Sequence, residues 1–262
     1  GETKDFWIEL GAHTCYNSYR NLIGIIEDCR ILDRLTRREN VPFKMLIDNQ
    51  VRSIPSQLDF LELFLSARRL FTSRKEGESM ESYYSGIVGR KNFERVFAPA
   101  FNAVISQDAN EFPSDMLFKR RERRKDVIKK FTLTNGLQAI ADAIASQNNI
   151  KIITGKEAQT IEIDNDLFRI AATDNSIYGS NYLALATPAS AAAQLLNAAF
   201  PDVSEVLSRI RVKSVESMGV AVRKELVSFG PVAGLIPKHD SFFSVVSRDA
   251  VQHERYRGFT FH

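Results

Sequence analysis

The side chains best able to do chemistry are few and scattered. Histidines stand at positions 13, 239, 253 and 262, with no HExxH spacing and no paired carboxylate, so neither a zinc site nor a nucleophile triad is expected. Ser79, Ser82 and Ser85 lack the strand–turn–helix setting of a nucleophile elbow. Cys15 and Cys29 have neither CxxC spacing nor the density of a disulfide framework, and they read as small packed residues. Gly86 and Gly89 in "SGIVGRKN" are wrongly spaced for a phosphate-cradling GxGxxG loop, and no strand precedes them. No catalytic constellation emerges, and His13 lies in "FWIELGAHT". There Phe6, Ile8 and Leu10 alternate with Trp7 and Glu9 as in a strand, which Gly11-Ala12 ends.

The elements that must position such a residue come from a chain of 262 residues, 44% hydrophobic with 18 Phe. That is enough to bury a sizeable core as one large or two ordinary domains. No apolar run reaches the roughly 18 residues of a membrane span, and the first residues lack a signal-peptide pattern, so a cytoplasmic location is expected. The net charge of +3 decides little, but "FKRRERRKDVIKK" (residues 118–130) carries eight Lys or Arg against Glu122 and Asp126. The run from Lys119 to Lys130 is read as a solvated helix face or charged connector in preference to an anchor for phosphate or acidic lipid. No aromatic interleaving supports a nucleic-acid partner.

Residues 15–40 read as helical, with Leu22, Ile25, Ile26, Cys29 and Leu32 on one stripe. "FKMLIDNQVRSIP" reads as a hairpin turning at Asp48-Asn49 and stopped by Pro55. "SQLDFLELFLSARRLF" reads as a helix with Leu58, Leu61, Phe64 and Leu65 facing inwards; beside Arg68 and Arg69, a membrane-surface role is the alternative. From Phe131 the texture becomes compact α/β. "LTNGLQAIADAIAS" opens a helix at Asn135-Gly136, strands are expected in "NIKIITGK", "EAQTIEID", "LFRIAAT" and "YGSNYLALATP", and the tail alternates in "VAVRKE", "FFSVVSR" and "GFTFH".

The order of these pieces resembles the FAD-dependent protoporphyrinogen oxidase and flavin amine oxidase superfamily. "ELGAHT" resembles the segment that ends an FAD-domain strand and passes along the flavin. "FKMLIDNQVRSIP" is similar to the hairpin entering the substrate domain, and residues 81–116 to the helical approach to the substrate cavity. "LTNGLQAIADAIA" is similar to a Gly-Gly-Leu helix start, "EAQTIEI" to the strand whose backbone holds adenine, "LALATPASAAAQLL" to the strand leading into a Thr/Pro turn, and "GLIP" to a Gly-x-x-x-Pro strand. The resemblance implies a mixed α/β and α+β fold: a substrate-binding domain of a flavin amine oxidase-like two-domain architecture with some FAD-domain strands. It divides the chain into residues 1–14 (strand and flavin-facing turn), 15–130 (helical substrate domain with its entry hairpin), 131–192 (returning FAD-domain segment) and 193–262 (substrate-domain sheet).

Carried onto this sequence, the resemblance places Gly11, Ala12, His13 and Thr14 against the isoalloxazine, Ala158 at adenine and Thr187-Pro188 under the flavin edge. His13 stands where some porphyrinogen oxidases have an Arg facing an acidic substrate group, and a His there weakens the porphyrin assignment. Phe97, Phe101 and Val104, with Phe93 and Phe112, are candidates for an apolar cavity wall. Arg90, Arg95 and Arg123 are the candidate cations for an anionic substrate. The implied activity is hydride transfer from a bulky, largely apolar small molecule to FAD. The alternatives are a non-catalytic module docking acidic partners or a membrane surface, and a desaturase or isomerase on the same scaffold. The dinucleotide fingerprint occurs nowhere in the sequence. The chain is therefore expected to be an internal part of its parent and to retain no FAD by itself. Oligomeric state is left open.

Overall fold

A computed structural model describes residues 6–119 and 121–262. The first five residues of the expected opening segment, and Arg120 of the basic run, lie outside it. Two compact units divide the chain, Gly1–Gln147 with Val215–His262, and Asn148–Ser214.

In chain order the first unit holds β1 (Cys15–Tyr16), α1 (Arg20–Asp28), β2 (Leu35–Arg37), β3 (Phe43–Ile47), β4 (Gln50–Ser53), α2 (Phe60–Ser66) and α3 (Met80–Val88). A rod follows, made of α4 (Arg90–Asn92), a π-helical stretch (Phe93–Phe97) and α5 (Ala98–Ile105), and then β5 (Lys130–Leu133) and α6 (Gln138–Ala145). The second unit holds the meander β6 (Ala158–Asp164), β7 (Leu167–Ala172) and β8 (Ile177–Ser180), then α7 (Ala189–Leu196) and α8 (Pro201–Ser208). The chain returns to the first unit with β9 (Met218–Arg223), β10 (Gly234–Pro237), β11 (Val245–Ser247) and β12 (Tyr256–Phe261).

The first unit has two sheets, β1-β5-β2 and β4-β3-β10-β11-β12-β9. Only the β10–β3 pairing in the larger sheet is parallel. The expected β3–β4 hairpin is present, turning on Asp48 and Asn49 with φ of +49° and +60°. Both central residues in the left-handed region make the turn whose twist suits paired strands. Pro55 stops β4 and begins a 3-10 turn. β1-β5-β2 packs its apolar side on helices: Cys15, Phe131 and Leu133 share a core with Ile23 and Ile26 of α1 and Ala139 and Ala143 of α6. Cys15 is a packed residue, its thiol pushed up to about 11 by burial, so it stays protonated.

Several expected elements differ. The helix after residue 15 is confined to Arg20–Asp28, because Cys15-Tyr16 and Leu35–Arg37 are claimed by β5 as sheet partners. Its inward stripe is carried by Ile23 and Ile26, whereas Ile25 and Leu32 are exposed. Phe6–Leu10 is not a strand; it runs over β12 without a ladder of its own. Residues 150–156 and 182–187, read as strands from their apolar alternation, join no sheet among the described residues, and Ile150, Ile152 and Ile153 are exposed. Apolar alternation makes a strand only where a neighbouring edge supplies hydrogen bonds.

The polarity of α2 is reversed. Its acids face inwards: Asp59 Oδ1 accepts from Glu62 N at 3.0 Å, capping α2, while the Glu62 carboxylate accepts from Lys91 N at 3.0 Å and Asn92 N at 2.9 Å at the start of α4. Buried Asn92 completes the junction by donating from Nδ2 to the carbonyls of Asp59 and Val88, both at 2.9 Å. Gly89 makes this approach feasible: its φ is +86°, and a Cβ there would lie 2.2 Å from Glu62 Cγ. With its polar groups spent on uncapped N–H groups of the next helix, α2 turns Leu61, Phe64 and Leu65 outwards, the opposite of the inward placement expected for them. Only Leu63 and the preceding Leu58 reach the core.

Candidate functional site

The segment Phe6–Thr14 is held at both ends of Glu9. Thr260 Oγ1 of β12 donates to the Glu9 carbonyl at 2.7 Å, and Leu137 N, before α6, donates to its carboxylate at 2.7 Å. Gly136 again answers a steric demand, since at φ +90° its Cβ would stand 2.6 Å from the Trp7 indole and 2.8 Å from Glu9 Oε1. The Asn135-Gly136 pair, legible in the sequence as a helix opening, is thus also the seat of the Trp7–Glu9 segment.

So anchored, the turn Gly11–Thr14 presents its backbone outwards. Gly11 and Ala12 are exposed, and a Cβ on Gly11 would meet nothing within 4 Å. Among the described residues, the N–H groups of Gly11, Ala12, His13 and Thr14 have no acceptor. His13 is half-buried, with Nδ1 3.4 Å from the Gly11 carbonyl, so Nδ1 carries the proton and Nε2 offers a lone pair. Burial first, and the charge of Arg38 second, hold its pKa below the ordinary 6.5, and it is neutral at pH 7.

Behind His13 lies a cavity of about 20 Å³, room for a single water, whose walls include Trp7, Glu9, Arg38, Thr132 and Arg248. Arg38 follows β2 and is fixed by its backbone N–H donating to Lys130 O at 3.2 Å. Arg248 leaves β11, and its guanidinium is stacked 3.9 Å from the Trp7 ring centroid and 4.9 Å from that of Phe6. Burial depresses the pKa of both arginines, and neither has an ion-pair partner among the described residues. Arg248 Nε and the Thr132 hydroxyl are buried with no hydrogen-bond partner in the structure. Arg257, by contrast, is fully engaged. It is paired with buried Asp249, donates to the carbonyls of Phe229 at 2.6 Å and Gly230 at 3.2 Å, and lies over the rings of Phe229 and Phe259. The two arginines at the small cavity thus form no close ion pair among the described residues, although Glu9 shares the cavity wall and its charge acts on Arg38, whereas Arg257 serves the fold.

The other candidates lie elsewhere. Arg90 is exposed and paired with Glu94 at 2.8 Å and Glu81 at 3.9 Å; Arg95 and Arg123 are exposed. In the basic run the neighbouring Arg124 bonds Glu27 and Asp126, and Arg20 reaches Glu122 at 2.5 Å, so acids neutralise part of a segment that is a connector and not a helix. Phe101 is the buried centre of an aromatic cluster, with Tyr84 at 4.7 Å and Phe97 at 6.1 Å between centroids, while Val104 is exposed. Ala158 opens β6 opposite Ala172, and Thr187 and Pro188 are exposed ahead of α7; all three belong to the second unit. Arg38, Arg248 and Thr132 went unnoticed in the sequence, where Arg38 sits in "TRRE" beside exposed Arg37 with nothing to set it apart.

The family model described as flavin containing amine oxidoreductase matches residues 1–230. The chain belongs to this family. No curated protein sequence matches this flavin amine oxidoreductase chain. Among solved structures it is similar to a protein of Exiguobacterium sp. 255-15 assigned as a protoporphyrinogen oxidase (TM-score 0.72, 13% identity, 100% of this chain and 67% of that one). An oxidoreductase from Methanosarcina mazei gives a TM-score of 0.69 at 16% identity, with 99% and 68% of the two chains covered. A putrescine oxidase double mutant gives 0.65 at 10%, with 97% and 64% covered. This flavin amine oxidoreductase chain thus spans about two thirds of the length of the structures it matches, and the likeness establishes the mixed α/β fold. The family is one of FAD oxidoreductases, and the residues present fit one end of that cofactor. The open Gly11–Thr14 turn suits the acceptor-rich edge of a flat ring, whereas no GxGxxG sequence is present to cradle the pyrophosphate.

Proposed function

We propose that this chain supplies the flavin-facing turn and the substrate domain of an FAD-dependent oxidoreductase acting on a bulky, largely apolar molecule that carries an acidic group. The observation that carries this reading is the juxtaposition of the backbone donors of Gly11–Thr14 with two guanidinium groups that form no ion pair among the described residues. FAD, when bound, would supply the electron sink for a hydride leaving a C–H bond of the substrate.

The chain's own residues do the rest. The N–H groups of the turn would donate to the ring edge, and the absence of a side chain at Gly11 lets them approach it. Arg38 and Arg248 would draw the substrate's acidic group towards the wall of the small cavity, which itself has room for no more than one water. His13, neutral and with Nε2 unprotonated, can accept a proton. Trp7 and Phe6, stacked on Arg248, keep water from its faces and so strengthen its hold on an anion.

The test is anaerobic reduction of the complete gene product loaded with FAD, comparing acidic substrates with their neutral amides. Arg38→Met is expected to raise KM for the acids by about tenfold or more while leaving the amides unaffected. An equal effect on both classes would remove the anion from the reading, and failure of the complete protein to bind FAD would remove the oxidoreductase. Turnover without net oxidation would make the enzyme an isomerase.

A further inference from the structure

The reversed polarity of α2 leaves a surface that the flavin chemistry does not use. Phe60, Leu61, Phe64 and Leu65 are exposed on α2, and Leu70 and Phe71 on the 3-10 turn Ala67–Phe71 that continues it. Leu61 is 71% exposed, Phe64 78% and Phe71 91%, so most of each side chain faces outwards. Residues at i, i+1, i+4 and i+5 lie on one side of a helix, so the four on α2 form one ridge that Leu70 and Phe71 lengthen. Single exposed apolar residues are ordinary, but a contiguous ridge of six marks an interaction surface.

Within residues 60–74 the exposed charges are all arginines, with Glu76 and Glu78 exposed just beyond. Arg68, Arg69 and Arg74 are exposed beside it, and none forms an ion pair among the described residues. Of the acids of α2, Glu62 is consumed at the start of α4 and Asp59 caps its own helix. Apolar side chains flanked by arginines match the depth profile of a lipid interface, with rings and leucines among the acyl chains and guanidiniums at anionic headgroups. A second copy of this chain fits less well, because a two-fold contact through this face would bring two arginine clusters together. Among the described residues no helix is long and apolar enough to cross a membrane.

We propose that the face built by residues 60–74 docks this protein on an anionic lipid surface. The inference is independent of the flavin reading, since binding is measured without turnover. The experiment is co-sedimentation of the complete protein with phosphatidylcholine vesicles made with and without phosphatidylserine. Binding is expected on the phosphatidylserine vesicles, weakened by salt. The double variant Phe64→Ser/Phe71→Ser should lose about tenfold or more of it, and Arg68→Gln about fivefold on anionic vesicles alone. These side chains are exposed, so an unchanged circular dichroism spectrum and melting temperature will certify the fold. Absence of wild-type binding, undiminished binding by the double variant, or a dimer that the double variant dissolves while vesicles recruit nothing would each overturn the proposal.

Discussion

His13 is a residue whose chemistry depends on what is folded around it. Burial and the neighbouring Arg38 charge make its imidazole bind a proton less readily in the folded chain than in the unfolded one, where the pKa is the ordinary 6.5. The folded-state value being the lower, its stabilisation is complete above about pH 6.5 and is lost as the pH falls through the folded-state value. Burial moves His262 in the same direction. The melting temperature should therefore decline as the pH is lowered from about 7 to about 5, and His13→Gln should flatten part of that slope without removing the part owed to His262. A slope identical in the variant and the wild type would show that His13 is solvated. Arg38 and Arg248 make the complementary point, for neither forms an ion pair among the described residues, which leaves donors for an anion from outside.

At the scale of elements, the junction of α2 with α4 decides which side of a helix faces water. Amphipathic reading assigns Leu61, Phe64 and Leu65 to the core because polar groups ordinarily seek solvent. Here the strongest polar demand is inside, in the N–H groups that open α4, and Glu62 meets it, while Asp59 caps α2 itself and Asn92 Oδ1 accepts from Asp59 N. Gly89 is the residue on which that arrangement depends. Gly89→Ala is expected to cost about 2 kcal/mol or more, combining an alanine at φ +86° with a collision against Glu62. Chemical denaturation measures it, and a loss under about 0.5 kcal/mol would mean that Glu62 is not held in the junction. The β3–β4 hairpin shows the opposite case. Asp48-Asn49 and Pro55 are local signals acting on their own backbone, and the turn and its stop are where the sequence placed them.

For the whole molecule, the family model matching residues 1–230 places the chain among the flavin amine oxidoreductases, but its sequence lacks one part of the cofactor's usual holding. Flavin affinity rests heavily on phosphate contacts at a glycine-rich helix start, and residues 1–262 contain no such loop. These residues expressed alone are expected to be colourless. Stoichiometric absorbance near roughly 450 nm after purification, a property of oxidised flavin itself, would show that the Gly11–Thr14 end suffices.

What the sequence settled by itself is local or ordered along the chain: the Asp48-Asn49 turn, the Asn135-Gly136 helix opening, the tail strands, and the succession of motifs that marks the family. These depend on backbone preferences and on order, both written in one dimension. The tertiary structure alone decided the rest. It denied Phe6–Leu10 and residues 150–156 a ladder, because a strand needs an edge to pair with. It turned α2 over, because another helix's N–H groups drew its acids inwards. And it brought Arg38 and Arg248 to one cavity beside His13 across more than two hundred positions of sequence, a convergence that no spacing along the chain encodes.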